Sequence, residues 1–464
     1  MDAITHLEDR QRPELTARLD RLSTWPYTNL VIWVVGAGYF LSFFDITNVA
    51  LGLPVYAKVF HMTAGQIAYP ISFSLFGYIF GSWLNGNLSD VAGRKIGIIM
   101  ATIFFSVGCL GAMLSNGLWV LVFWRFVTGM GIGAEIAIVS TYFGELAPPA
   151  MRGRYTGIAN IFSFVGLAFV PILALWLVPN YSWGWRGMFA FGALGLLTLV
   201  AFPFLPESPR WLLAKGRFAQ AKIIIEAAEA RELAHGKPLA PVVEAAAEQE
   251  IVGLPMAQLF HPPLLSRLCV LFIMWLFFYI GEYIWLGLGP VFFVDRGFTL
   301  THSIMFMLMS SVGLSLGAAL SAWLGDRFER KRSVCAAMLI WAAGFVGISF
   351  TAAPIAIYAL VFIVTTALGF VIPLMYTLTN ESFPTGARSS GVSLTDGLGH
   401  VGGVVGPLIA TSLYAALGAA SGFPAVFMLV AVTGAGAALL TPFTGAKTRR
   451  VLAPAPNRTN SPSI

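Results

Sequence analysis

Runs of some twenty or more apolar residues follow one another from Tyr27 almost to the end of this 464-residue chain, and that single feature leaves few folds open. A hydrocarbon layer ~30 Å thick is crossed by about 20 residues of helix, because only a helix satisfies its own backbone hydrogen bonds where water is absent. Spans are expected at about 28–57, 66–88, 95–114, 117–146, 155–178, 184–205, 264–294, 302–324, 332–352, 354–383, 389–417 and 421–444. Several exceed the minimum length, which implies tilt or kinks, with Pro54, Pro171, Pro290 and Pro373 as kink candidates. Charged residues are 11% of the chain and mean hydropathy is +0.77, whereas a soluble domain carries about 25% charge.

The longest interruption is 206–262. It holds Arg210, Lys215, Arg217, Lys222 and Arg231, with helix-forming stretches at Phe218–Ala234 and Val242–Glu250. The chain thus divides into a six-helix bundle over 1–205, a cytoplasmic linker over 206–262, and a second six-helix bundle with its tail over 263–464. With both termini in the cytoplasm, the outer loops receive only Lys58, Arg186 and Arg296 of the 28 basic residues, and Arg125 falls inside a span. That asymmetry sets the orientation and accounts for the net charge of +6 without a nucleic-acid partner. The first 24 residues are polar, so no cleavable leader is expected. Leu15–Leu22 reads as a short amphipathic helix on the cytoplasmic membrane surface. Cys109, Cys269 and Cys335 each lie in an apolar run and read as small buried packing residues, offering neither a disulfide nor a metal site.

The two halves repeat. Asp90 and Asp326 are 236 residues apart (326 − 90), and the same offset separates Arg94 from Arg330, Glu145 from Glu381, Pro148 from Pro384 and Arg152 from Arg388. Five polar or proline positions at one offset indicate a tandem duplication of a six-span unit. The charged members of the set, Asp90, Arg94, Glu145, Arg152, Asp326, Arg330, Glu381 and Arg388, are candidates for an inner-face gating network.

The loop Gly86…Asp90…Gly93-Arg94-Lys95, its repetition, and the Arg125…Gly129-Met-Gly131-Ile-Gly133 run of the fourth span resemble the major facilitator superfamily over essentially the whole chain. The run Pro206-Glu207-Ser208-Pro209-Arg210-Trp211-Leu212 resembles that superfamily's sugar-porter branch and its niacin, aromatic-acid and organic-ion relatives. Arg18-Leu-Asp-Arg-Leu22, Asp45 and the Arg296–Thr301 stretch look most like the niacin and aromatic-acid proton symporters. The resemblance implies an all-α membrane fold of twelve helices in two pseudo-symmetric bundles, and a secondary active transporter that is not an enzyme.

An ionisable side chain at a helix centre costs ~2.5–3.5 kcal/mol on insertion scales, so it usually faces an aqueous cavity. Asp45 and Arg125 stand at similar depths, about 15 and 12 Å from the outer ends of their spans, and can pair. Proton-coupled sugar porters, which the chain resembles, carry an acid and an arginine in this relation. Pair formation would release a proton and separation would take one up, which makes Asp45, Arg125 and Glu135 candidates for proton coupling. Glu135 is also placed to partner Arg152. Glu282, flanked by Tyr279, Tyr283 and Trp285, lies on a helix that lines the cavity in the superfamily. His400 stands twelve residues after Arg388, where organic-ion relatives carry charge opposite to the substrate's, with Asp396 one turn earlier. These residues and Tyr376 form the candidate substrate site, and histidine there favours a small organic acid, aromatic acids included, as cargo. Alternatives are a sugar or polyol proton symporter, a cation or drug efflux antiporter, and a substrate sensor. The expected partners are a small-molecule substrate, protons and the bilayer, with no nucleic acid, no cofactor and no metal. The expected location is the plasma (inner) membrane, multi-pass, as a monomer.

Overall fold

The computed structural model describes residues 2–242, 256–325, 327–384 and 387–445. It is all-helical among those residues. The amino-terminal helix α1 (Asp2–Asp20) precedes six spans: α2 (Asn29–Val59), α3 (Tyr69–Ala92), α4 (Arg94–Met113), α5 (Leu118–Leu146), α6 (Arg152–Leu177), and a sixth over Gly184–Phe204 made of α7 (Gly184–Ala193), α8 (Gly195–Thr198) and a 3-10 turn. Two linker helices follow, α9 (Pro209–Ala214) and α10 (Phe218–Ala234). The second half holds α11 (Leu264–Asp295), α12 (Leu300–Leu324), α13 (Arg330–Phe350), α14 (Pro354–Ser382), the short α15 (Arg388–Val392) and α16 (Val401–Leu440).

The last apolar stretch, Ser390–Phe443, runs for 54 residues, or about 81 Å of continuous helix, far more than one crossing needs. It is broken at Gly418, whose φ of +70° is outside the helical region. The stretch therefore makes two spans, and the described residues contain twelve. Asp326 and the helix expected over Val242–Glu250 lie outside the described residues, apart from Val242 itself.

The described residues form two compact units. One takes those within Met1–Val252 together with Tyr279–Ser311 and His400–Val426; the other takes those within Gly253–Phe278, Val312–Gly399 and Phe427–Ile464.

Within the first unit α3 and α5 are in backbone contact. A Cβ added at Gly77 or Gly81 would lie 2.1 Å from the carbonyl oxygen of Phe126 or Met130, and one at Gly129 or Gly133 would lie 1.8 or 2.2 Å from that of Ser74 or Tyr78. Small residues let helices approach this closely in a bilayer. Within the second unit, Gly317 and Gly369 do the same for α12 and α14, at 2.1 Å from the Thr366 oxygen and 2.0 Å from the Leu314 oxygen, and Gly313 meets Thr365 at 2.4 Å. Gly313, Gly317 and Gly369 each stand 236 residues after Gly77, Gly81 and Gly133, so the duplication extends into the packing seam.

The amino-terminal tail differs from expectation. Leu15, Leu19 and Leu22 are buried against Trp211, Leu212 and Leu213 of α9 and Ala221, Ile225 and Ala228 of α10. Over Leu15–Leu22 the apolar face is covered by linker helices rather than by lipid. Arg18 donates to Glu229 at 3.1 and 2.6 Å and Arg21 donates to it at 2.6 Å. Glu232 accepts from the Ser23 backbone N–H at 2.8 Å, from its hydroxyl at 2.6 Å and from the Thr24 hydroxyl at 3.2 Å. Arg210 pairs with Asp20. Burial raises the pKa of both glutamates, but the hydrogen bonds outweigh it and hold them below their ordinary value. α9 begins where Ser208 accepts the Trp211 N–H at 3.1 Å with Pro209 in the first turn, a preferred start for a helix.

The cysteines also depart from expectation: Cys109 is buried, but Cys335 is half-buried and Cys269 is exposed. An apolar run does not distinguish a lipid-facing position from an internal one.

Candidate functional site

α2 carries Asp45 and α5 carries Arg125, both inside apolar helices where an unpaired charge is costly. Arg125 Nη1 donates to Asp45 Oδ2 at 2.5 Å, and the two side chains are 1% and 0% exposed. Arg125 Nη2 donates to Ser74 of α3 at 3.1 Å. Asp45 Oδ1 also accepts from Asn48 at 3.2 Å and from the Cys109 thiol at 3.3 Å. The guanidinium lies 5.7 Å from the Phe189 ring centre. Arg125 Nε is buried without a partner among the described residues. Burying two charges is tolerated only with such geometry and added donors.

Glu135, ten residues further along α5, is fully buried and accepts a hydrogen bond from the Ser42 hydroxyl. Its other oxygen, Oε1, is buried without a partner among the described residues. The contact is with Ser42 of α2, while Arg152 is exposed.

Arg125 and Ser74 line a constricted cavity of about 30 Å³ together with Tyr78, Tyr283, Leu286 and Gly287. Tyr78 and Tyr283 also belong to an aromatic cluster around His400, which is 4% exposed. The His400 ring stacks on Tyr78 at 4.6 Å between centroids, tilts over Tyr279 at 3.8 Å, and lies 6.4 Å from Tyr283. Cation, hydroxyl, imidazole and three phenols are therefore close together.

Trp285 has a different environment. It is fully buried and its indole donates to Ser310 at 3.1 Å. Ser310 stands 236 residues after Ser74, so repeat-related hydroxyls take an N–H in both halves. Glu282 is half-buried. In the second unit Tyr376 donates to Asp396 at 3.2 Å and packs on Trp275 at 4.8 Å. Asp396 sits in a π-helical turn over Ser393–Gly397, a form common at functional sites.

The repeated loop charges also have partners. Arg94 pairs with Asp90 and donates to Glu145 at 3.0 and 3.1 Å. Arg330 pairs with Glu381 in the second repeat. Arg388 donates to the Phe383 carbonyl at 3.4 Å. Each of these contacts joins elements of one repeat.

Sequence reasoning passed over four participants. Ser42, Ser74 and Tyr78 carry no formal charge, and spacing within an apolar span did not mark them. Glu207 lies in a quoted motif, yet its role appears only in three dimensions: it accepts the Arg94 and Lys95 backbone N–H groups at 3.0 and 3.3 Å, capping α4.

Comparison with known proteins adds family to this geometry. The family model of the Major Facilitator Superfamily matches residues 35–407, with a second match over 305–461. The chain is 26% identical over 427 residues to the niacin transporter NiaP of Acinetobacter baylyi, covering 90% of this chain and 93% of that protein. It is 27% identical over 422 residues to the 4-hydroxybenzoate transporter PcaK of the same organism, covering 88% and 90%. Its fold is similar to the crystal structure of a D-xylose–proton symporter, with a TM-score of 0.73 at 20% identity over 91% of this chain and all of the other. This chain is a multi-pass membrane protein of the Major Facilitator Superfamily.

Proposed function

We propose that the protein is a secondary transporter that moves a small organic acid, with an aromatic acid as the leading candidate, together with protons. The observation that carries the reading is the buried Asp45–Arg125 pair, whose cation lines a cavity edged by Tyr78 and Tyr283. A carboxylate entering that cavity competes with Asp45 for the guanidinium. Asp45 released from Arg125 takes a proton, and the loaded carrier is then neutral at this point. When the solute leaves, the pair re-forms and the proton is released. Proton and acid thus move in the same direction. Glu135 with Ser42 is a second proton-holding position on the same two helices. His400 and the tyrosines grip the ring of the solute, the imidazole by donating to an oxygen and the phenols by stacking.

Alternating access then follows from rocking of the two six-helix halves, 1–205 and 263–464, about the midplane. The loop charges of both repeats, Asp326 included, act as latches on the cytoplasmic side, and the location is the plasma membrane with both termini inside. The substrates named for the niacin and 4-hydroxybenzoate transporters support an aromatic acid. A sugar is the competing cargo, supported by the likeness to a D-xylose–proton symporter. Against it, among the described residues Asn48 is the one side-chain amide in contact with the Asp45–Arg125 pair, and none of those lining the cavity is an amide.

The test is uptake of labelled niacin, 4-hydroxybenzoate, xylose and an amine into proteoliposomes, with and without a pH gradient. Gradient-driven accumulation of an acid that disappears in Asp45→Asn is expected. Accumulation of xylose alone, or acid uptake indifferent to the gradient, overturns the reading.

A further inference from the structure

A second cavity, of about 710 Å³, lies at the end of the first unit where the linker helices pack. Three separate segments build it: the strap Ser23–Asn29 leading into α2, the first turn of α6, and the last turn of α10 with the residues just after it. Its charged lining is of one sign. Arg154 comes from α6, Arg231 from the last turn of α10 and Lys237 from the chain beyond, with the His235 imidazole beside them; among the described residues no carboxylate lines it. The nearby acids are already engaged, Glu229 by Arg18 and Arg21, and Glu232 by Ser23 and Thr24. Among the described residues Arg154, Arg231 and Lys237 form no ion pair. Arg231 is instead fixed across the cavity wall by donating to the Pro26 carbonyl at 3.4 Å, and Trp25 packs on Tyr155 at 4.3 Å to form an aromatic wall.

Arg154 and Lys237 are exposed and Arg231 half-buried, and among the described residues no carboxylate on the cavity walls answers them. Hydroxyls of Ser23, Thr24 and Thr28 add neutral donors. The first turns of two long helices, α2 and α6, face the same space, and neither start carries a side-chain cap, so their partial positive charge adds to that of the side chains.

We propose that this cavity is a binding site for a phosphate-bearing anion, separate from the transport site. Bidentate guanidinium contacts and a mobile lysine match phosphate oxygens. The phosphate belongs either to an anionic lipid headgroup, since basic pockets at helix ends near the membrane surface bind such groups, or to a soluble phosphorylated compound. Bound there, it ties the entrance of α2 to α6 and to α10.

The test uses the full-length protein. Detergent-purified protein is titrated with pyrophosphate, with chloride at matched ionic strength as control. Separately, protein is reconstituted in phosphatidylcholine with and without phosphatidylglycerol. Thermal unfolding and hydrogen exchange of residues 23–29 are followed in both. Pyrophosphate or phosphatidylglycerol is expected to raise the unfolding midpoint and slow exchange in the strap. Whichever probe acts identifies the source. Arg154→Gln with Lys237→Gln is expected to weaken the effect about tenfold or more. Arg154→Lys with Lys237→Arg keeps the charge and is expected to keep the effect, as is Arg327→Gln with Arg332→Gln on the second unit. The proposal is overturned if neither probe acts on the wild type, or if the response persists undiminished in the double glutamine variant.

Discussion

Ser42 and Asp45 stand one turn apart on α2 and engage α5 at two depths, Ser42 holding Glu135 and Asp45 holding Arg125. One face of α2 thus supplies a partner to Arg125 and to Glu135 of α5, while the third charged residue of α5, Glu145, is held by Arg94. Removing one member of the buried pair leaves the other charge uncompensated, at about 3–5 kcal/mol. Arg125→Ala is expected to lose about that much stability. Asp45→Asn with Arg125→Gln, which removes both charges and keeps the shape, is expected to recover most of it. Chemical unfolding in detergent checks both, and a double variant no more stable than Arg125→Ala contradicts the account.

Tyr78 lines the cavity and stacks on His400 at 4.6 Å. Tyr78→Leu and His400→Ala are each expected to raise the KM for the transported acid about tenfold, the worth of one good polar contact, with little change in thermal stability. Transport kinetics at fixed pH gradient measure this. An unchanged KM in both would remove the aromatic cluster from the substrate path.

The glycine seams make a sharper stability statement. Gly133→Val and Gly369→Val drive side-chain atoms into the carbonyls of Tyr78 and Leu314, and each is expected to cost at least about 1–3 kcal/mol, the usual range for overpacking. Gly86→Ala, with open space around it, is expected to be neutral or to stabilise by about 0.4–1 kcal/mol. Yields of monodisperse protein and unfolding midpoints separate the two classes.

Glu207 caps α4 beside Gly93, whose φ is +116° and whose Cβ would meet the carboxylate at 2.3 Å. Glu207→Ala is expected to cost about 1 kcal/mol, as loss of a helix cap does. Gly93→Ala adds a backbone conformation that only glycine adopts readily, at about 1–3 kcal/mol. Denaturant midpoints of the two variants should rank in that order.

The clasp between α1 and α10 carries a pH signature. Glu229 and Glu232 have folded pKa values below the ordinary glutamate value. Their contribution is therefore complete above about 4.3 and is lost as pH falls through the lowered folded values. Proteolytic cleavage at Arg18 and Arg21 is expected to stay slow at neutral and mildly acid pH. Hydrogen exchange in residues 15–24 is expected to accelerate only below the glutamate range. Acceleration already near neutrality would assign the clasp to another group.

Hydropathy located the spans because burial in lipid leaves a signature in every residue of a helix. The break near Gly418 was legible for the same reason, since one apolar stretch could not cross twice without turning, and Phe218–Ala234 emerged with the bounds expected of it. The tail was misread because its amphipathic pattern states that one face is covered but not by what; leucines at 15, 19 and 22 fit a membrane surface and a helix pair equally. Gly313, Gly317 and Gly369 were available at the repeat offset and were missed because polar matches were sought first. Tyr78 could not be singled out among 13 tyrosines without knowing which face of α3 meets His400. The π-helical turn around Asp396 has no periodic signal at all.

The docking of α1 on the linker has a practical side. A fluorescent protein or affinity handle fused directly ahead of Leu15 pulls on the helix that shields Trp211 and supplies both arginines to Glu229. The amino end is therefore a poor neutral attachment point, and reporters placed there need a long flexible spacer if they are to report on the unperturbed protein.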